Sequence, residues 1–124
     1  RYDHVLLMIA EAENEVNGPS EKALKAINAV RTRSHQPAID GANLTQAELR
    51  ERIRNEWRVE TCFEGLRYFQ LKRWKLLQQT VDGAVDPAYP AYKKVVTSAF
   101  EYFPLPQGEI DQAHGVLVQV PTFQ

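Results

Sequence analysis

The chain has 124 residues, 44% hydrophobic, 25% charged and 10% aromatic, with a formal net charge of −1 at pH 7. That is the make-up of one ordinary globular domain. The balanced charge gives no global attraction for nucleic acid or anionic lipid, and no apolar run approaches the ~20 residues of a membrane helix. A single cysteine, Cys62, leaves no intramolecular disulfide and no multi-cysteine zinc site.

Helical patterning runs from the start. The chain opens at Arg1 rather than Met and already reads as helix from Tyr2, so it is expected to be a piece of something longer. Val5, Ile9, Ala12 and Val16 recur at i, i+4, i+7 and i+11 and predict the stripe of a first helix. Asn17-Gly18-Pro19-Ser20 stops it, and Ser20 is placed to cap a second helix with Glu21 in its first turn. Ala23, Leu24, Ile27 and Val30 share a face of that helix, while Ala26 and Ala29 allow close approach of a neighbour. The short connection predicts an antiparallel helical hairpin. His35 to Asn43, with Pro37, Gly41 and no period, reads as a loop.

Thr45-Gln46-Ala47-Glu48 is a capping box and opens a third helix reaching about Phe63. Gly65 punctuates it, and a fourth helix is expected from about Leu66 to Gln79. Asp82 to Pro90 reads as irregular, and Val95 to Phe103, rich in β-branched and aromatic residues, as a short extended segment. Pro104-Leu105-Pro106 must be extended, Gln107 to Gln112 makes a helical turn, and the tail is expected to be held by packing alone. The predicted fold class is mostly α: tetratricopeptide-like helical hairpins over about residues 2–34 and 45–79, with an irregular, proline-containing tail wrapping from 80 to 124. The placement of Gly18 and Ala23-Leu24 is similar to one tetratricopeptide helix pair, a repeat of about 34 residues. One such pair cannot bury its own apolar face.

The most informative stretch is Arg50 to Lys75. At about 100° per residue, Glu56, Glu60 and Glu64 fall among Leu49, Ile53, Trp57 and Phe63, on the apolar face of the third helix. A buried carboxylate must be neutralised, paired with a cation or bound to a metal. Arg73 lies with Leu66, Phe69, Leu76 and Leu77 on the fourth helix, and Arg67 follows Gly65 closely. A structural Arg–Glu network is therefore expected, made by Glu56, Glu60, Glu64, Arg67 and Arg73. Carboxylate-bridged metal helices add a histidine three residues after a glutamate, and this region has no histidine. Arg50, Arg52, Arg54 and Arg58 interleave with Glu48, Glu51, Glu56 and Glu60, which cancels the field a phosphate backbone needs.

Nothing else assembles a chemistry. His4, His35 and His114 lie in different elements and read as surface or loop residues, Cys62 as a buried thiol, and Trp57 and Trp74 as core. Neither a nucleophile motif nor a phosphate-binding glycine loop is present. No catalytic, metal or cofactor residue is assigned. The aromatic residues Tyr89, Tyr92, Phe100, Tyr102, Phe103 and Phe123 have two readings: platforms for sugar rings, or the apolar lining of a wrapping tail.

The segments Asn55-Glu56-Trp57-Arg58-Val59-Glu60, Phe63-Glu64-Gly65-Leu66-Arg67-Tyr68-Phe69 and Leu71-Lys72-Arg73-Trp74 closely resemble the C-terminal region of the SusD/RagB family. Leu6-Leu7-Met8-Ile9-Ala10-Glu11-Ala12 resembles its alanine-rich helix, and Ala26-Ile27-Asn28-Ala29-Val30-Arg31-Thr32-Arg33 the helix that follows. Tyr102-Phe103-Pro104-Leu105-Pro106-Gln107-Gly108-Glu109-Ile110 is similar to its near-terminal proline motif, and Leu117 to Phe123 is a looser match to its ending. Gln70 stands where the family commonly has an aspartate, and Leu66 where a histidine is frequent. The resemblance implies a non-enzymatic, nutrient-binding lipoprotein of the outer membrane that captures glycans, or peptides in some branches, over a TonB-dependent transporter. Its lipid anchor would sit at an N-terminus upstream of this segment, and its ligand residues mostly in loops outside it. The alternative is a free-standing tetratricopeptide-like module for protein–protein interaction.

Overall fold

The computed structural model describes residues 1–123; Gln124, the last residue of the expected tail, lies outside the described residues. The chain forms two compact units, Arg1–Gly65 and Leu66–Gln124.

Three helices build the first unit: α1 (Tyr2–Asn17), α2 (Glu21–Arg33) and α3 (Gln46–Glu60). Their ends follow from local chemistry. Gly18 takes φ +71°, which side chains rarely adopt, and its N–H donates to the Asn14 carbonyl at 2.9 Å. The Ser20 hydroxyl accepts from Ala23 N–H at 3.2 Å. The Thr45 hydroxyl accepts from Glu48 N–H at 3.2 Å while the Glu48 carboxylate accepts from Thr45 N–H at 2.8 Å, completing the capping box.

Both α2 and α3 pack on α1. The core between them is Leu7 and Ala10 of α1, Ala23, Ala26, Ile27 and Val30 of α2, and Leu49, Ile53 and Trp57 of α3. The buried stripe of α1 is Asp3, Leu7, Ala10 and Asn14, not the expected one. Val5, Ile9 and Val16 face outward, at 44%, 38% and 79% exposure. Both stripes have the same spacing; the buried one wins because Ala10 lets helices approach and because Asp3 and Asn14 find polar partners that hydropathy does not count. Asn14 Nδ2 donates to the Gln46 carbonyl at 3.1 Å, and Gln46 Nε2 donates to the carbonyls of Asn14 at 2.6 Å and Glu15 at 3.1 Å. The loop after α2 is pinned in the same manner. Asn28 donates to the Ile39 carbonyl at 3.0 Å and accepts from Ile39 N–H at 2.7 Å, which seats Ile39 in the core.

The third helix stops at Glu60, earlier than expected. The Thr61 hydroxyl donates to the Trp57 carbonyl at 2.7 Å, and Phe63 and Gly65 turn through φ +63° and +74°. That turn carries Phe63 away from the apolar face it was expected to join and leaves Cys62, expected to be buried, at the surface. Phe63 is fully exposed and Cys62 is exposed.

The second unit contains α4 (Arg67–Arg73), α5 (Leu77–Val81), a hairpin of β1 (Val85–Asp86) and β2 (Tyr89–Lys93), 3₁₀ turns at Ser98–Glu101 and Pro121–Phe123, and α6 (Gln107–Gln112). The expected fourth helix is broken in two. Lys75 takes φ +56°, and the N–H groups of Lys75 and Leu76 fold back to the carbonyls of Lys72 and Leu71 at 2.9 and 2.8 Å. This is a Schellman closure with lysine in the place glycine usually holds. Leu71, Leu77 and Val96 form the core, flanked by Tyr68, Trp74, Leu76 and Val81. Gln70 is buried beside Leu71, whereas Phe69 is 59% exposed, because the short helix turns its 70–71 edge inward.

Strand pairing falls ahead of the segment expected to be extended, and Ser98–Glu101 closes as a 3₁₀ turn instead. Polar clasps, as well as packing, hold the tail. Gln119 Nε2 donates to the Leu105 carbonyl at 3.0 Å, and its Oε1 accepts from Leu105 N–H at 2.9 Å.

Candidate functional site

The densest charge in the first unit gathers where the start of α1 and the ends of α2 and α3 meet. Glu56 is 5% exposed, and its Oε2 accepts from Arg31 Nη1 at 2.6 Å. Arg31 also donates through Nε to the Pro37 carbonyl at 2.9 Å, so one guanidinium holds both the carboxylate and the loop. Glu60 is paired with Arg33, and with Arg1 at 3.2 Å. Glu64 is paired with Arg1, and His4 Nε2 lies 3.4 Å from its Oε2. Asp3, buried at the base of α1, is bound by Arg1 and lies 3.7 Å from Arg33. The hydrogen bond from Arg1, with help from the His4 backbone N–H, holds the Asp3 carboxyl well below the usual carboxylate range.

Glu56 thus takes its cation from α2, and Glu60 from both α2 and the start of α1. Glu64 pairs with the start of α1, but it lies exposed in the turn beyond α3 rather than on the expected apolar face, because the helix ends at Glu60. Arg67 and Arg73 lie in the second unit, their guanidinium carbons 5.9 and 5.3 Å from the Trp74 ring. Nothing in the sequence pattern marks Arg1 or Asp3 as members of this cluster. Only Arg31 and Arg33, as basic residues ending a helix that returns along the first, carried any signal.

Beside the cluster lies a cleft of about 390 Å³, bordered by Arg1, Tyr2, Asp3, Leu6, Val30 and Arg33. Its charged groups are already engaged with one another, which leaves hydrogen bonding and packing as its chemistry. The His4 ring lies 5.5 Å from that of Trp57 with the planes tilted by 50°, and the Trp57 indole N–H donates to Glu11 at 3.2 Å. His35 and His114 sit in turns with φ +56° and +47°. No group of three His, Cys, Asp or Glu residues suited to a metal ion occurs among the described residues.

Aromatic residues mark the second unit. Lys72 Nζ lies 4.1 Å from the Phe103 ring centroid and 5.3 Å from that of Tyr68, so a cation joins the proline motif to α4. Tyr89 and Tyr92 stand on β2 at 63% and 75% exposure.

Stacked helices locked by guanidinium–carboxylate pairs, with polar clasps on their loops, define a tetratricopeptide-like helical scaffold. The chain belongs to the SusD family, which matches residues 1–123. It is 39% identical over 82 residues to SusD-like protein P2 of Formosa agariphila, a match covering 61% of this chain and 16% of that protein. A solved SusD-like protein from Bacteroides fragilis superposes with a TM-score of 0.81 at 27% identity, over 98% of this chain and 25% of that one. Surface glycan-binding protein A from Bacteroides thetaiotaomicron superposes with a TM-score of 0.72 at 30% identity, over 96% of this chain and 23% of that one. The chain spans about a sixth of the curated relatives and about a quarter of the solved structures it matches.

Proposed function

We propose that this chain is the C-terminal scaffold of a non-enzymatic, surface-exposed nutrient-binding protein that captures glycans for a TonB-dependent transporter of the outer membrane. The observation that carries the reading is the family match over residues 1–123, joined to the likeness over 96% of the chain to a surface glycan-binding protein. The local geometry agrees with a supporting role. Glu56, Glu60 and Glu64 are each paired with an arginine, the arrangement of an ion-pair framework rather than of an acid–base pair. No described helix is long and apolar enough to cross a membrane; membrane attachment is assigned to a lipid anchor upstream of this segment.

The test uses the complete natural gene product. Isothermal titration with a panel of soluble polysaccharides is expected to show saturable binding without release of reducing ends. Affinity purification from solubilised outer membranes is expected to bring down a TonB-dependent transporter. Absence of binding across the panel, or steady release of reducing ends, would overturn the reading.

A further inference from the structure

Two aromatic residues of the second unit stand apart from its core. Tyr89 and Tyr92 are 63% and 75% exposed, and every residue of β1 and β2 is exposed. Their rings meet each other with centroids 6.5 Å apart and planes at 68°. Both belong to one strand, so this contact does nothing to join the strands. Backbone bonds do that work: Gly83 N–H donates to the Lys94 carbonyl and Lys94 N–H to the Ala84 carbonyl, each at 2.9 Å. Phe103 is as exposed as Tyr89, at 62%, but it meets another element: the Lys72 ammonium lies 4.1 Å from its ring centroid and Tyr68 of α4 neighbours it at 6.1 Å. The ring of Phe103 thus reaches α4, whereas the rings of Tyr89 and Tyr92 meet each other.

The geometry points to Tyr89 and Tyr92 as a stacking corner for one pyranose ring of a glycan, an inference that rests on the glycan-binding reading above. A pyranose has an apolar C–H face and a rim of hydroxyls. Two tyrosines at 68° offer it a flat ring, the edge of a second, and two phenolic hydroxyls for the rim. Tyrosine suits this work because it supplies a large rigid face with a polar tip and orders only two side-chain torsions on binding. The solved surface glycan-binding protein that this chain resembles over 96% of its length gives the partner its chemistry.

The complete gene product is run by affinity electrophoresis in gels containing amylopectin, xylan, laminarin or galactomannan, beside its Tyr89→Ala/Tyr92→Ala and Tyr89→Phe/Tyr92→Phe variants. For the polysaccharide that retards the parent, the alanine pair is expected to weaken binding about tenfold, the change that ~1.4 kcal/mol of lost contact produces. The phenylalanine pair, which keeps both faces, is expected to stay within about threefold. Nitration of Tyr89 and Tyr92 in the parent, mapped by mass spectrometry, is expected to slow when that polysaccharide is present; it needs no variant to fold. Unchanged binding by the alanine pair, or unchanged nitration, overturns the stacking corner while leaving glycan binding in place. A parent retarded by none of the four overturns both.

Discussion

Arg31→Met tests the energetic core of the charge cluster. Glu56 is 5% exposed, and its closest cation is Arg31 at 2.6 Å, itself 21% exposed at the side chain. Removing the guanidinium leaves a desolvated carboxylate without its partner, a change that costs about 3–5 kcal/mol at buried sites. Water reaches the Arg31 end of the pair, so the lower figure applies. Against a total stability of roughly 5–15 kcal/mol, a loss of about 3 is large. With a urea dependence of about 2 kcal/mol per molar, the midpoint is expected to fall by roughly 1.5 M with an unchanged slope. Arg31→Met/Glu56→Leu replaces the pair with apolar groups and is expected to recover more than half of that loss. Lys22→Met, which unpairs Glu13 from an amine 71% exposed, is expected to leave the midpoint unmoved. A midpoint for Arg31→Met equal to that of the parent would refute the assignment. So would a double variant no more stable than Arg31→Met alone.

Three further outcomes are expected. Asp3 has its carboxyl pKa lowered by Arg1, so its ionised form adds stability that is full above the unfolded value near ~4 and is lost as pH falls through the folded value. Thermal melts of the parent and Asp3→Asn should therefore differ by a constant amount from pH 7 to about 4.5 and converge below it. Thr45→Ala removes the hydroxyl that caps α3 and should cost about 1 kcal/mol, roughly 4 °C in Tm, by circular dichroism. Cys62, carried outward by the turn after α3, should react with Ellman's reagent in the folded chain at nearly the rate of a free thiol; slow reaction would return it to the interior.

What could be read from the sequence followed the range of the interaction. Ser20 and the Thr45–Glu48 box cap their helices within three residues, and both were legible without tertiary information. The angular position of Glu56 was equally local, and that residue is indeed buried. Its partner was not legible, because Arg31 lies 25 residues away and only the packing of α2 and α3 on α1 brings them together. The buried stripe on α1 differs from the expected one for a related reason. Two stripes of equal spacing compete there, and the deciding residues, Asp3 and Asn14, are polar ones whose partners lie on other elements. Phe63 leaves the apolar face because α3 is shorter than its periodicity predicts, and the burial common to free cysteines does not extend to Cys62 in that turn. A hydroxyl closing back on Trp57 and a left-handed Phe63 end α3 where helical periodicity would carry on. In the second unit Lys75 does the same to α4, and a lysine gives no warning of a turn that glycine usually makes.

The clasp between Asn14 and Gln46 has an evolutionary consequence. Each amide reaches the other residue's main chain rather than its side chain. Every amino acid presents the same carbonyl, so replacing Gln46 leaves the acceptor for Asn14 in place, and the reverse holds too. The two positions can drift one at a time, each change losing only the bonds that its own amide donates while the geometry persists. Glu56 and Arg31 have no such freedom, since a charge abandoned by its partner penalises the first substitution before a second can repair it. Among descendants of a common ancestor, the ion pair should change in concert or not at all. The clasp should erode piecemeal, leaving half-clasps as its trace.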